Sequence, residues 1–151
     1  MPDPSPTIHA SAVLVGARAV LIRGPAGSGK SRLVLALLDA SAAGLLPFAR
    51  LVGDDRVILE ARHGRLLASP PNALAGLLEV RGLGLRRVPY EGLAAIGWVV
   101  DLAASGAERL PLLEDRTTTI EGVILPRVAI HACAEPAPVL LAALRTQAVA
   151  F

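Results

Sequence analysis

The octet GPAGSGKS at 24–31 constrains this chain more than any other stretch. Gly24, Pro25, Ala26, Gly27, Ser28, Gly29, Lys30 and Ser31 fit the pattern G-x-x-x-x-G-K-[ST] without mismatch. Glycines let successive backbone N–H groups turn inward as a nest for anionic oxygens. A helix behind such a loop adds its N-terminal dipole. The required context is present on both sides. AVLI at 19–22 is short, apolar and partly β-branched, as a buried strand is. SRLVLALLDASAAGLL at 31–46 has helix formers and a broad apolar face, with Gly44 as an early stop. In this geometry Lys30 reaches the β- and γ-phosphates of a nucleotide, and the Ser31 hydroxyl holds Mg²⁺. ATP and Mg²⁺ are the expected cofactors.

The remaining segments are mostly extended. RLV at 50–52 reads as a strand ending at Gly53-Asp54-Asp55, and RVILEARHGRLLAS at 56–69 as a hairpin turning at His63-Gly64. LLEVRGLGL at 77–85 reads as a strand that breaks into a glycine-punctuated loop. AIGWVVDL at 95–102 is the clearest buried strand, and GVILP and RVAIHA after it form another extended pair. PAPVLLAALRTQAVA at 136–150 predicts a C-terminal helix with proline near its start. Together these predict an α/β fold in one domain over 1–151: a mixed β-sheet with a P-loop and flanking helices. Trp98 and Phe48 are expected in the core, and Cys133 as a small buried hydrophobe.

Hydrophobic residues make up 53% of the chain, and mean hydropathy is +0.55, which raises the question of a membrane. No unbroken apolar run approaches the ~20 residues that a spanning helix needs. The opening MPDPSPTIHA lacks the basic and apolar regions of a secretory signal, so the reading is cytoplasmic, with no membrane partner. A single cysteine allows no intramolecular disulfide, and with three histidines it gives no ligand set for structural zinc. Net charge is +2 and aromatics are 3%, so the stacking platforms of single-strand binders are missing and nucleic acid is not an expected partner. Arg81, Arg86 and Arg87 lie close together. The last two suit either an acidic or phosphate-bearing partner or a solvated edge.

Two places offer the metal-linked carboxylate expected after an apolar strand. WVVD ends at Asp101, and LVGDD ends at Asp54 and Asp55. Either site is equally suited to capping a turn. The pair is the more informative, because adjacent side chains of an extended chain point to opposite faces. Two acids in succession therefore bend the chain or take different roles. One carboxylate poised near Mg²⁺–ATP suits proton acceptance from an incoming hydroxyl. No N-K-x-D guanine-reading element is present, which argues against a GTPase.

In order, IHASAVLVGARAVLIRGPAGSGKS, LVGDDRV and LLEVRGLGL resemble the catalytic domain of HPr kinase/phosphorylase, a bacterial regulator of sugar-transport phosphocarriers. That family carries a His ahead of its P-loop, an L-V-A-D-D-x-V segment and a signature close to L-E-V-R-G-L-G-I. The resemblance runs over about 8–130 and implies a fold of the HPr kinase C-terminal, PEP carboxykinase-like kind. It implies transfer of the ATP γ-phosphate to a serine of HPr or an HPr-like phosphocarrier, and a hexameric assembly. It makes Asp54 or Asp55 the general base, sets His9 beside that base, and joins Glu79 to Ser31 at Mg²⁺. Arg81, Gly82 and Gly84 fall in the signature that shapes the catalytic loop, and Arg109 lines up with an arginine tied to catalysis. Without the family, Glu79 is a strand carboxylate with Arg81 as its salt-bridge partner.

The chain also departs from the family. Its P-loop begins at Gly24, so it resembles a form made of the catalytic domain alone. Arg32 stands where the family has an acid. The family's P-V-R-P-G-R-N type segment, linked to dephosphorylation, corresponds here to HACAEPAPV, which has no arginine. This sets the kinase direction ahead of reverse phosphorolysis. Two other readings stay open: a generic P-loop ATPase using Asp101, and a nucleotide-binding regulator without turnover.

Overall fold

The computed structural model describes residues 6–104, 112–147 and 149. In chain order they form β1 (Thr7–Ile8), β2 (Ala10–Val15), β3 (Arg18–Arg23), α1 (Lys30–Ala42), β4 (Ala49–Gly53), β5 (Val57–Arg62) and β6 (Arg65–Ser69). There follow β7 (Leu77–Val80), β8 (Gly84–Arg87), β9 (Ala94–Leu102), β10 (Thr117–Ile120), β11 (Val123–Ile130) and α2 (Pro136–Arg145).

The strand RAVLIR of β3 explains the architecture. Its apolar residues are buried in unbroken succession because both faces of the strand are covered. Val20 and Ile22 enter a cluster with Leu33, Val34 and Leu37 of α1 and Leu140 of α2. Ala19 and Leu21 enter a second cluster with Val57, Leu66 and Val99. The sheet runs β1-β5-β6-β9-β3-β2-β4. Parallel pairing joins β9 to β3 and to β11, and the remaining pairs of this sheet are antiparallel. Strand β9 forks the sheet: Ala94 and Ala95 pair with β6, whereas Val99 to Leu102 pair with β11. The expected mixed α/β sheet with flanking helices is what is found.

The ends of these strands collect at one edge. Antiparallel β2 begins opposite the end of β3, with Ala10 facing Arg23. β4 ends opposite the start of β2, with Gly53 facing Ala12. Asp101, near the end of β9, faces Arg23. The ends of β3, β4 and β9 and the start of β2 therefore lie together at the edge where the P-loop leaves β3.

The expected turns at His63-Gly64 and Gly44 are both present. His63 and Gly64 have φ 52° and 77°, the two positive values that a tight two-residue hairpin requires. At the end of α1, Leu45 N–H bonds to Ala40 O across Gly44, which has φ 78° and closes the helix. Other expectations are corrected. Residues 77–87 form a hairpin, β7 paired with β8, rather than a strand and loop, because Gly82 and Gly84 at φ 90° and 94° turn the chain back. GVILP and RVAIHA merge into the one strand β11, whose antiparallel partner is β10. α2 stops at Arg145, where the Thr146 hydroxyl bonds back to Ala142 O. Phe48 is exposed beneath the Arg50 guanidinium, 4.8 Å from its ring centre, and Trp98 is only half-buried against the helix-side cluster. Cys133 is exposed, because it lies in the turn after β11 and not on a strand.

Candidate active site

The P-loop joins β3 to α1. Gly27 and Gly29 hold φ 79° and 98°, values that L side chains resist. Gly24 is required for a different reason: a Cβ there would lie 2.5 Å from Ser28 Oγ and 3.1 Å from Leu102 Cβ. Lys30 is 6% exposed, and its ammonium donates to the carbonyls of Gly24 and Pro25 at 2.9 and 3.2 Å. The side chain is thus folded over the loop that it serves. Ser28 Oγ is buried and has no hydrogen-bond partner among the described residues.

The adjacent acids divide. Asp54 is buried at 8% exposure. Its Oδ1 accepts from Ser11 Oγ at 2.9 Å and from Ser31 Oγ at 2.8 Å, and its Oδ2 accepts from Glu79 N–H at 3.1 Å. Asp55 has φ 67°, a left-handed conformation that aspartate tolerates better than most residues. The kink turns its carboxylate out, 60% exposed, to meet His9 Nε2 at 2.6 Å. Ser11 ties the two together: it donates to Asp54 and accepts from Asp55 N–H at 3.0 Å. Gly53 permits this tight turn, since a Cβ there would meet Val57 Cγ1 at 2.7 Å.

Asp101 has other partners. Arg23 grips it in a fork, Nε to Oδ1 at 2.7 Å and the terminal nitrogen to Oδ2 at 2.8 Å, and Arg127 Nε donates to Oδ2. Register explains the arrangement: Arg23 lies directly opposite Asp101, and Arg127 reaches it diagonally from the other flanking strand. Burial pushes the Asp101 carboxyl up, but hydrogen bonds and charge from Arg23 and Arg127 outweigh it and hold the group below its ordinary value. Both oxygens of Asp101 are thereby occupied by guanidinium.

Of the residues expected at the site, His9, Lys30, Ser31, Asp54, Asp55 and the P-loop glycines converge. Glu79 comes with its backbone against Asp54; its side chain is exposed, and no ion pair joins it to Arg81 among the described residues. Arg109 lies outside the described residues. Ser11, Arg23 and Arg127 were missed. Their only sequence signal is a polar residue in the alternating apolar run IHASAVLV, and charges on otherwise apolar strands.

The donor set fits a magnesium nucleotide. Ser31 and Asp54 offer the hard oxygens that Mg²⁺ prefers, and the buried Ser28 hydroxyl, without a partner among the described residues, is a loop donor suited to an anionic oxygen.

A model of the family described as HPr Serine kinase C-terminal domain matches residues 3–91. Curated relatives include the HPr kinase/phosphorylase of Clostridium tetani, 36% identical over 103 residues, which are 68% of this chain and 31% of the relative. That of Clostridium beijerinckii is 37% identical over 82 residues, 54% of this chain and 25% of the relative. The chain thus spans less than a third of the length of these relatives. The solved structure of the Hpr(Ser) kinase/phosphatase from Coxiella burnetii superposes with a TM-score of 0.72 at 26% identity, covering 93% of both chains. The P-loop, the divided acid pair and these matches, the family model alone covering more than half of the sequence, place this chain in the HPr serine kinase C-terminal domain family.

Proposed function

We propose that residues 1–151 act as a cytoplasmic, ATP- and Mg²⁺-dependent protein serine kinase, with an HPr-like phosphocarrier as acceptor. One observation carries this reading: two neighbouring carboxylates are separated into a buried one bonded to Ser31 and an outward one bonded to His9. Bound Mg²⁺ would neutralise phosphate charge and orient the γ-phosphoryl group, held by Ser31 and Asp54, with Glu79 near enough in the chain to join them. Lys30 would trade its two loop carbonyls for phosphate oxygens. The orphaned Ser28 hydroxyl supplies one more donor in the same loop.

Asp55 is the base in this scheme. The acceptor serine oxygen forms a bond to the γ-phosphorus as the bond from that phosphorus to the β-bridging oxygen breaks. The serine proton passes to the Asp55 carboxylate. His9 holds that carboxylate in place and is a positioning residue. Arg109 is proposed, from the family pattern alone, to steady the charge on the transferred group. The readings with Asp101 as the metal acid lose support because Arg23 and Arg127 already occupy its oxygens. A hexamer remains part of the proposal through the family.

The test is a phosphotransfer assay with γ-labelled ATP, Mg²⁺ and HPr-type carriers. Label on a carrier serine, absent with Asp55→Asn, is the expected result. ATP binding without labelled carrier would leave a nucleotide-dependent regulator. Inorganic phosphate added to phosphorylated carrier then asks whether the reaction reverses.

A further inference from the structure

A cavity of about 590 Å³ opens at the end of the sheet remote from the P-loop. β3 starts at it, with Arg18, and reaches the P-loop just past Arg23, so about 16 Å of strand separates the two places. None of the residues lining the cavity belongs to the phosphoryl-transfer site.

A β-bulge shapes the wall on the sheet. Ala19 pairs with Ile96 but Val20 pairs with Trp98, so Gly97 is an extra residue in β9. Strict alternation would send Trp98 to the face of Ile96. The bulge turns it instead to the helix side, into the cluster that holds Leu144 of α2. Glycine is needed at the bulge, because a Cβ at 97 would stand 2.8 Å from Arg18 Cβ and 2.9 Å from Arg18 Cδ. The Arg18 stem thus lies along β9 at Gly97, next to Trp98.

The facing wall is also fixed. Ser41 Oγ donates to Pro47 O at 2.8 Å, and Gly16 N–H donates to Phe48 O at 2.7 Å. These bonds tie the connection between α1 and β4 to the helix and to the turn between β2 and β3. Arg145, the last residue of α2, completes the lining. Arg18 and Arg145 are the charged residues of the cavity, both positive, and the rest of its lining is apolar. Both are exposed, and among the described residues neither is in an ion pair.

We propose that this cavity binds a small amphipathic anion, its acyl or aryl body against Trp98 and Leu144 and its carboxylate or phosphate head at Arg18 and Arg145. The volume lies within the ~300–1,000 Å³ of small-molecule sites. Guanidinium matches the planar geometry of both head groups and is weakly hydrated, so it gives up water readily to meet them. A neutral apolar ligand would leave the two cations unmatched, and an inorganic anion would leave the apolar wall uncovered.

Trp98 is the sole tryptophan of the chain, so its fluorescence reads the cavity directly. The probes are octanoate and octyl phosphate, with octanamide and octylammonium as neutral and cationic counterparts of the same body. Wild-type protein is expected to give a saturable change with at least one anion, at an affinity about tenfold or more above that for the amide and the amine. The tighter of the two anions then names the head group. Arg145→Glu, at an exposed position, is expected to weaken that anion about tenfold or more without changing the melting temperature beyond about a degree. Equal response to all four probes, or no response to either anion, would overturn the proposal, and neither reading needs a variant that folds. Simple competition between the anion and Mg-ATP would place the anion at the P-loop and overturn it as well.

Discussion

Replacing Asp101 by Asn separates a structural carboxylate from a metal acid. In the native protein this side chain is 17% exposed and accepts from Arg23 and Arg127, themselves 32% and 21% exposed. The amide keeps the shape but leaves two guanidinium charges facing no anion. Breaking a fully buried pair costs about 3–5 kcal/mol; water reaches both arginines here, so ~2–3 kcal/mol is the working figure. At about 2–4 °C per kcal/mol for a chain of this size, the melting temperature should fall by roughly 5–10 °C. The pH dependence has a definite sign. The folded carboxyl is held below its ordinary value, so the unfolded chain takes up a proton first as pH falls. The stabilisation is therefore complete above about pH 5 and fades below about pH 4, as the folded value is approached. Urea unfolding of both proteins at pH 7 and at progressively lower pH below 4 measures this: the gap should be widest at pH 7 and shrink as the pH falls. A variant that melts with the wild type yet loses Mg²⁺-dependent nucleotide binding would refute the reasoning and make Asp101 the metal acid.

Three further outcomes are expected. Ser11→Ala strands the Asp55 N–H and removes one donor from buried Asp54, which should cost about 1–3 kcal/mol in urea unfolding and slow phosphotransfer as well. Gly24→Ala should abolish nucleotide binding through its 2.5 Å clash with Ser28 Oγ, and adding Ser28→Ala should restore part of it, since that nearest contact is then gone while Leu102 Cβ still crowds the site; calorimetric titration with ATP reads both. His9→Ala should lower phosphotransfer by roughly 10–100-fold with ATP affinity unchanged, below the ~10²–10⁴-fold contribution of a general base itself, because histidine only orients it.

The elements that a single segment specifies were legible in the sequence. The P-loop between strand and helix, the His63-Gly64 turn and the Gly44 helix stop each rest on local conformational rules. Features that depend on sheet register were not. Arg23, Asp101 and Arg127 meet only because β3, β9 and β11 are neighbours in parallel, and nothing in the spacing of positions 23, 101 and 127 announces it. Ser11 is similar: a serine in an apolar strand has no visible purpose until β4 brings Asp54 beside it. The acid pair lies between these cases. Strand alternation predicts two faces for adjacent acids, but β4 ends at Gly53 and the separation is made by the left-handed residue Asp55, which the sequence does not announce. Cys133 was misplaced because cysteine's preference for burial is a statistical tendency, overridden here by the turn after β11.

The central claim is that Asp54 and Asp55 have separate jobs, and a side-by-side assay of Asp54→Asn and Asp55→Asn tests it most directly. Mg-ATP affinity and carrier phosphorylation would be measured for each. The account expects Asp55→Asn to bind Mg-ATP as the wild type does and to transfer no phosphate, while Asp54→Asn loses the part of ATP affinity that depends on Mg²⁺. Undiminished transfer by Asp55→Asn, or Mg²⁺ dependence intact in Asp54→Asn, would contradict it.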